Sequence, residues 1–344
     1  MSLFVRRTDA GHICPGASVS GDVVRVMILM VAALFPGDLI AKKSRLFRNL
    51  KSSDVRYRMV APVHDIKGML LENNHLYALY DGRPWMIRVV FDGKKPIDKA
   101  FATLQGRVAD GKRIALPVKK PGNWVGATGF VNNSLLLLSD RGRVLALDRE
   151  KFAYISIGDV ILDRAAPALD TRGSPIKLEI RRFRAAFMRA LDRVPETRKL
   201  MTGLAVLPKE WRQGEPHQFL LTGTMPGYPL MTMHCSEEIK SNCRVRRTCF
   251  VRGDTPKDAG DRLGIAVSRK RRLVLIGDRA AGRIFVYRFR SCYDVVFKQR
   301  LYLPERLGRL AGMMVDDQDR LWVSTTKPDQ WTNASVYVWE SPHW

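Results

Sequence analysis

Six acidic or amide side chains recur at two turn positions of a repeated sequence pattern. Three follow a short apolar segment and three follow the next strand: Asn74, Asn133 and Asp316, then Asp81, Asp140 and Asp278. Oxygen atoms of this kind could bind Ca²⁺, which needs about six to eight oxygen ligands in one place. They could equally accept hydrogen bonds from the backbone of their own turns, the ordinary role of Asp and Asn there. Both interpretations stay open on the sequence.

Basic clusters are the second feature with chemical meaning. The chain has 58 Lys and Arg residues against 34 Asp and Glu, a formal net charge of +24. A positive field of this size attracts anionic partners, or reflects unspecific adhesion alone. Aromatic residues that could stack on nucleic-acid bases are sparse among the clusters. The candidate anion-binding residues are Arg181, Arg182, Arg184, Arg244, Arg246, Arg247, Arg269, Lys270, Arg271 and Arg272.

Cysteine spacing is the third such feature. Cys14 belongs to an N-terminal segment described below, and four cysteines remain. Cys235 and Cys243 enclose a short polar loop that a disulfide could close, and Cys249 could then reach Cys292. Free structural cysteines are the alternative. The spacing matches no common zinc pattern, so no metal site is predicted from the cysteines.

Sequence motifs for catalysis are missing. The chain has no His-x-x-x-His pair, no Gly-x-Ser-x-Gly segment and no phosphate-binding glycine loop. A catalytic triad assembles from distant segments, so its absence cannot be read from a local pattern. The catalytic residues are therefore unassigned, and enzymatic activity is left undecided.

A repeated pattern must position these residues. Each copy has an apolar segment with glycine, a polar turn, an apolar strand, an Asp/Gly loop and a further strand, and the clearest copy is Leu310–Trp339. One such unit cannot bury both faces of its sheet, so the copies must stack around an axis. The sequence thus predicts an all-β protein, a β-propeller, with a β-sandwich as the alternative. The five recognised copies are anchored at Gly68, Gly129, Gly203, Gly264 and Gly312.

The number of blades follows from the spacing of these copies. Most separations exceed the length of about 40–50 residues that is typical of a blade. We therefore predict six blades, with one degenerate copy or insertions in the longer gaps. In this architecture the six turn residues named above are candidates to face the central channel. Val55–Val60 alternates apolar and polar residues and is predicted to complete a blade with the C-terminal strands.

One stretch departs from the β pattern. Residues 178–199 have apolar side chains at steps of three and four, which predicts a basic amphipathic helix inserted between blades. Its apolar face could pack on the propeller, leaving a solvated basic face. It could also bind a membrane surface or an anionic partner.

The N-terminus resembles an export signal. Val26–Phe35 is an apolar run preceded by Arg6, Arg7 and Arg25. It is too short for a bilayer, which needs about 20 residues, and fits the core of a signal peptide. We predict a signal-like or anchoring segment at 1–41 and one propeller domain at 42–344. The expected location is periplasmic or secreted, with membrane anchoring or a buried N-terminal strand as alternatives.

Three segments carry a family resemblance. GMMVDDQDRLWVST and GIAVSRKRRLVLIGDRAAGRIFVY resemble the recurring segment of six-bladed NHL-type and gluconolactonase-type propellers. LLLLSDRGRVLAL resembles a Ser-Asp-Arg step in bacterial esterase-like phytase propellers. The resemblance implies a propeller fold. Metal-dependent lactonases of this group hold their metal with a Glu, an Asn and an Asp, and no segment here matches the motifs around them.

These observations lead to three functional hypotheses. The first is an exported, monomeric binding or scaffold protein for an anionic polymer, an anionic lipid surface or a protein partner. The alternative is a metal-dependent hydrolase of the lactonase or esterase type, the one case in which a Ca²⁺ cofactor is expected. A cytoplasmic propeller associated with nucleic acid is the third. A carboxylate cluster at the channel mouth would favour the hydrolase, and a basic channel the binding protein.

Overall fold

Short β-strands make up most of the chain that the computed structural model describes. The chain divides into two units, Met1–Arg45 and Leu46–Trp344, and the described residues all lie in the second. They are residues 47–61, 66–72, 75–80, 85–90, 112–115, 124–129, 134–149, 151, 154–162, 201–212, 218–223, 230–235, 243–256, 263–279, 281–326 and 334–340.

The strands, numbered along the chain, form five antiparallel blades of four strands each. Blade 1 contains β3 (Ile66–Glu72), β4 (His75–Tyr80), β5 (Trp85–Val90) and β6 (Lys112–Ala115). Blade 2 contains β7 (Trp124–Gly129), β8 (Ser134–Ser139), β9 (Arg143–Asp148) and β10 (Tyr154–Leu162). Blade 3 contains β11 (Met201–Val206), β12 (Gln218–Gly223), β13 (Met231–His234) and β14 (Cys243–Thr248).

The last two blades follow the same order from the inner to the outer strand. Blade 4 contains β16 (Leu263–Ser268), β17 (Leu273–Asp278), β18 (Arg283–Ser291) and β19 (Asp294–Tyr302). Blade 5 contains β20 (Arg309–Val315), β21 (Leu321–Thr326), β22 (Ala334–Trp339) and, outermost, β2 (Val55–Ala61). The remaining elements are β1 (Phe47–Asn49), β15 (Val251–Arg252) and the 3₁₀ helices Ser52–Asp54, Lys209–Trp211 and Glu305–Leu307.

Burial on both sheet faces explains why the second strands are continuously apolar. In β8, with the sequence SLLLLS, every residue is buried, and the same holds for β17. One face of each strand packs on the preceding blade and the other on the following blade. Apolar clusters accordingly fill the four junctions from blade 1 to blade 5. This is the packing expected of stacked repeats that bury a continuous core.

The inner strands contact one another in a closed circle, in the order β3, β7, β11, β16 and β20 and back to β3. The chain is therefore a β-propeller, as predicted. The prediction of six blades is not confirmed: the described residues form five, and this circle has no place for a sixth. The long separation between the second and third copies lies largely outside the described residues.

Glycines allow the inner strands to approach closely around the channel. A methyl group on Gly126 would lie 2.7 Å from the backbone nitrogen of Leu204 in blade 3. A methyl group on Gly312 would lie 2.6 Å from the carbonyl oxygens of Ile66 and Lys67 in blade 1. Gly126, and not the predicted Gly129, is thus the anchor of blade 2.

Ring closure occurs where the sequence predicts it. Strand β2 pairs antiparallel with β22, with Val55 opposite Trp339 and Ala61 opposite Ala334. Near the channel, Ser324 joins blade 5 to blade 1, because its hydroxyl donates a 2.5 Å hydrogen bond to the Ile66 carbonyl. Blade 5 is thus assembled from two distant parts of the chain.

Outer strands also connect neighbouring blades. The end of β10 pairs in parallel with the start of β14, which joins blades 2 and 3 in one sheet. Strands β15 and β1 both pair in parallel with β19 of blade 4. The blades are therefore linked at the rim as well as around the channel.

Both predicted disulfides are present. Cys235 is bonded to Cys243 within blade 3, and Cys249 is bonded to Cys292 in the β18–β19 hairpin of blade 4. Disulfides form and persist in oxidising compartments, so the chain belongs in such a compartment. No helix among the described residues has the length and apolarity needed to cross a membrane. The predicted signal-like segment 1–41 and the predicted helix 178–199 lie outside the described residues.

Candidate functional site

The two ends of the channel differ in which loops surround them. We call the end at which the inner strands begin the front face, and the end at which they turn into the second strands the back face. Because β16 and β17 are antiparallel, the turn between them lies on the back face and the loop after β17 lies on the front face. Four of the predicted anion-binding residues lie together in the blade 4 turn on the back face: Arg269, Lys270, Arg271 and Arg272.

The basic turn of blade 4 contacts blade 3 on one side. Arg269 donates hydrogen bonds of 2.8 and 3.3 Å to the two carboxylate oxygens of Glu210. The Arg272 guanidinium lies 5.8 Å from the centre of the Trp211 ring, which stacks on Phe289 at 5.4 Å. A cation over an aromatic face is attracted by the ring quadrupole. Arg269 and Arg272 therefore hold blades 3 and 4 together.

The same turn contacts blade 5 on its other side. The Asp319 carboxylate accepts hydrogen bonds from the Ser268 hydroxyl and from the Arg271 guanidinium. Asp319 is almost completely buried and has a positive φ of 67°, a conformation that Asp tolerates better than most residues. Arg271 is thus partly neutralised, while 40% of its side chain remains exposed.

Two further cations come from the outer half of blade 4. Arg288 lies opposite Leu273 in the β17–β18 pairing, directly beside the basic turn. Lys298 lies on β19 where the register with β18 shifts by one residue, which is a β-bulge. A bulge often changes the direction of a side chain. We define the blade 4 basic surface as Lys270, Arg271, Arg288 and Lys298, all of which are exposed.

Mutual repulsion is the electrostatic signature of this surface. Desolvation lowers the pKa of Lys298 below its ordinary value, and the charges of Arg271 and Arg288 lower it further. No carboxylate contributes to that shift. Within the described part of the chain, Lys270, Arg288 and Lys298 have no ion-pair partner. The fold therefore holds like charges close together at a cost in stability.

This repulsion predicts a pH dependence of stability. The pKa of Lys298 is lowered in the folded protein and close to 10.5 in the unfolded chain, so between these values the unfolded chain binds the extra proton. The penalty is fully present below the lowered pKa and disappears as the pH rises past 10.5. Thermal melts across the alkaline range should show wild type gaining stability with pH relative to Lys298→Gln. Parallel curves for the two proteins would contradict the lowered pKa of Lys298, which desolvation and then the neighbouring charges cause.

A cation also lies at the front mouth of the channel. Arg279 follows β17, is 9% exposed, and donates a 3.4 Å hydrogen bond to the carbonyl oxygen of Lys67. Lys67 belongs to blade 1, and blade 5 separates blades 4 and 1 in the circle. The Arg279 side chain thus crosses the channel mouth.

The candidate carboxylates are divided between the two faces. Asp140 follows β8 and Asp278 ends β17, so both lie on the front face, whereas Asp316 follows inner strand β20 and lies on the back face. Asp316 accepts hydrogen bonds of 2.7 Å from Arg320 and 2.8 Å from Trp322. Its carboxylate therefore holds its own turn together, the ordinary role of such a residue. Asn74, Asp81 and Asn133 lie outside the described residues.

The sequence repeat aligns Asp278 with Asp81 and Asp140, but the strand register shows that Asp278 and Asp140 do not occupy equivalent positions. Asp278 pairs with Leu263, whereas Asp140 lies one residue beyond Ser139, which pairs with Trp124. Arg279 is therefore the blade 4 counterpart of Asp140. In the structure, Asp278 accepts a hydrogen bond from the backbone nitrogen of Ala281 in its own loop.

Other predicted anion-binding residues are dispersed. Arg244 is exposed on β14, the outer strand of blade 3. Arg246 and Arg247 lie on the same strand, with side chains outside the description. Arg181, Arg182 and Arg184 lie outside the described residues. The described structure thus groups only Arg269–Arg272 of the predicted set.

The described residues include no group of three or more His, Cys, Asp and Glu side chains that could hold a metal ion. The four cysteines outside the N-terminal segment are used in disulfides. The structure therefore adds no support, in the part described, for a metal-dependent hydrolase.

Sequence reasoning missed Arg288 and Lys298. Each is a basic residue in an otherwise alternating strand, the usual pattern of a solvent-facing position. Only the pairing of β17, β18 and β19 places them beside the basic turn. The alternation predicts their exposure, but nothing local predicts which cations they meet.

Comparisons with known proteins agree with the fold class alone. No protein-family model and no curated protein matches the chain. Among solved structures, a glutaminyl cyclase from Myxococcus xanthus is similar with a TM-score of 0.48 and 8% identity, over 86% of this chain and 99% of that chain. A calcium-binding protein, regucalcin, from Agrobacterium tumefaciens is similar with a TM-score of 0.39 and 9% identity, over 81% and 72%.

A third similar structure is described as a β-propeller domain. It is Cps50 (Swd1) from Myceliophthora thermophila, with a TM-score of 0.35 and 11% identity, over 77% of this chain and 66% of that chain. At these identities the likeness concerns the arrangement of strands and not the chemistry of a site. The propeller fold that the resemblance to NHL-type and gluconolactonase-type sequences implies is shown by the strand pairing and the closed circle of inner strands, and six blades are not confirmed.

Proposed function

We propose that the protein is a binding or scaffold propeller that recognises an anionic partner through the blade 4 basic surface. The observation that carries the proposal is the convergence of four exposed cations, Lys270, Arg271, Arg288 and Lys298, at one end of blade 4, where Asp319 pairs with Arg271 alone among the four in the described ion pairs. A bound anion would offset the repulsion between these cations.

The wider charge distribution supports the same proposal. A net charge of +24 creates a field that attracts anions from a distance. The blade 4 basic surface adds a local concentration of positive charge on a rigid scaffold, because Arg269, Arg271 and Arg272 fix the turn against both neighbouring blades. Field and surface together would give rapid association and a defined position for the partner.

The experiment compares two charge-matched double variants. Arg288→Gln/Lys298→Gln removes two cations from the blade 4 basic surface, while Arg283→Gln/Arg309→Gln removes two from the opposite, front ends of their strands. Binding of fluorescent dextran sulfate should weaken about tenfold in the first variant, because each exposed ion pair contributes ~0.7 kcal/mol. The second should bind within about twofold of wild type. Equal weakening in both variants would show that net charge alone governs binding, and would overturn the proposal.

Folding of the variants is checked independently. Removing Lys298 relieves repulsion, so the first double variant should melt at the same temperature as wild type or slightly higher without ligand. Weaker binding together with unchanged or higher stability separates a binding role from a structural one.

A further inference from the structure

The cations of the blade 4 basic surface are arranged in a row across the blade. Lys270 and Arg271 lie in the turn between the two innermost strands, Arg288 lies on the third strand, and Lys298 lies on the outermost strand. Neighbouring strands are about 4.8 Å apart, so the row runs from the channel side toward the rim over several such steps. This geometry presents positive charge along a line and not around a point.

Exposure decides between a single anion and a polymer. All four cations are exposed to solvent, Arg271 over 40% of its side chain, so water competes for their hydrogen bonds. An isolated sulfate or phosphate on such a surface gains little, because exposed ion pairs are weak and screened by salt. A chain with regularly spaced anionic groups engages several cations at once and releases its counterions.

The surroundings distinguish between classes of polymer. Three aromatic residues beside the surface are buried: Trp211 is 3% exposed, Phe289 1% and Tyr287 0%. Phe297, which precedes Lys298, is partly buried and packs against Phe285 and Tyr287. Among these residues, none therefore offers a fully exposed ring on which a base could stack. The two disulfides place the chain in an oxidising compartment, where extracellular acidic polysaccharides occur.

We infer that the ligand of the blade 4 basic surface is a linear acidic polysaccharide that lies radially across blade 4. The inference rests on the proposed function and adds to it the class and direction of the partner. Recognition depends on the spacing of carboxylate or sulfate groups along the chain and not on stacking. Affinity therefore rises with chain length until the row is covered, and then levels off.

Calorimetry with galacturonic acid and its oligomers of increasing length tests the inference. Wild type should bind the monomer at least tenfold more weakly than the longest oligomer. Arg288→Gln/Lys298→Gln should lose most of the gain with length and reduce the slope of log Kd against log salt by about two. Arg283→Gln/Arg309→Gln should keep both.

Two further probes distinguish other partners. A single-stranded DNA oligonucleotide of matched charge, and vesicles of anionic lipid, should each bind more weakly than the oligogalacturonate. Tighter binding of either probe, or equal binding of monomer and oligomer, would overturn the inference. If dextran sulfate still distinguishes the two double variants in that case, the proposed function stands and only the polysaccharide is wrong.

Discussion

Gly312→Ala is expected to destabilise the protein by about 3 kcal/mol, the upper part of the range for an overpacked interior. A methyl group there would lie 2.6 Å from two carbonyl oxygens and 2.9 Å from the carbonyl carbon of Lys67, all in the backbone of the first inner strand. Backbone in a packed ring cannot move aside as a flexible side chain can. The thermal midpoint should fall by about 5–10 °C.

Gly264→Ala is the matched control. Gly264 occupies the same position in the inner strand of blade 4, but a methyl group there would have no described neighbour closer than 3.9 Å. The free energy of unfolding of this variant should stay within about 1 kcal/mol of that of wild type, since the space accepts the methyl group. Similar losses of stability in the two variants would contradict the close approach of β20 and β3 at the junction between blades 5 and 1.

Removal of the disulfide between blades is expected to have the second large effect. Cys249 and Cys292 are 43 residues apart in sequence, and a cross-link of that length restricts the unfolded chain by about 4 kcal/mol in the chain-entropy description. In the folded state the same region is supported by a 2.7 Å hydrogen bond from the Phe250 nitrogen to the Cys292 carbonyl. Cys249→Ala/Cys292→Ala should therefore fold but melt at a much lower temperature.

The disulfide within blade 3 provides the comparison. Cys235 and Cys243 are 8 residues apart, for which the same description gives about 2.5 kcal/mol. Cys235→Ala/Cys243→Ala should therefore lose less stability when both double variants are followed by thermal melting. The reverse order would show that native packing at one of the bridges, and not the length of the closed loop, determines its contribution.

The repeat pattern allowed the architecture to be predicted because each blade has the same local requirements. Glycine permits close approach of inner strands, turn residues reverse the chain, and apolar strands fill the space between blades. Closure by Val55–Val60 followed from its alternation, and the cysteine pairing followed from the short loop between Cys235 and Cys243. These features depend on nearby residues, or on the few segments left to pair.

What could not be predicted depends on register and on distant contacts. In blade 2 the residue opposite the inner-strand glycine is Leu138, two residues before Asp140, whereas in blade 4 it is Gly277, one residue before Asp278. Asp278 was therefore aligned one residue out of place. The number of blades could not be read from spacing alone, because an insertion and a degenerate blade have similar lengths. Arg288 and Lys298 join the basic turn only through sheet pairing.

The pairing of β2 with β22 has a consequence for folding kinetics. Hairpins within each blade involve nearby residues, whereas this pair joins Val55 to Trp339 and requires closure of a very long loop. Non-local pairing of this kind raises the contact order and slows folding, so blade 5 should be the last to form. Until then β22 has an open edge, and the β2 strand of another molecule can occupy it. The seam that closes the ring is therefore also the place at which two chains would exchange strands.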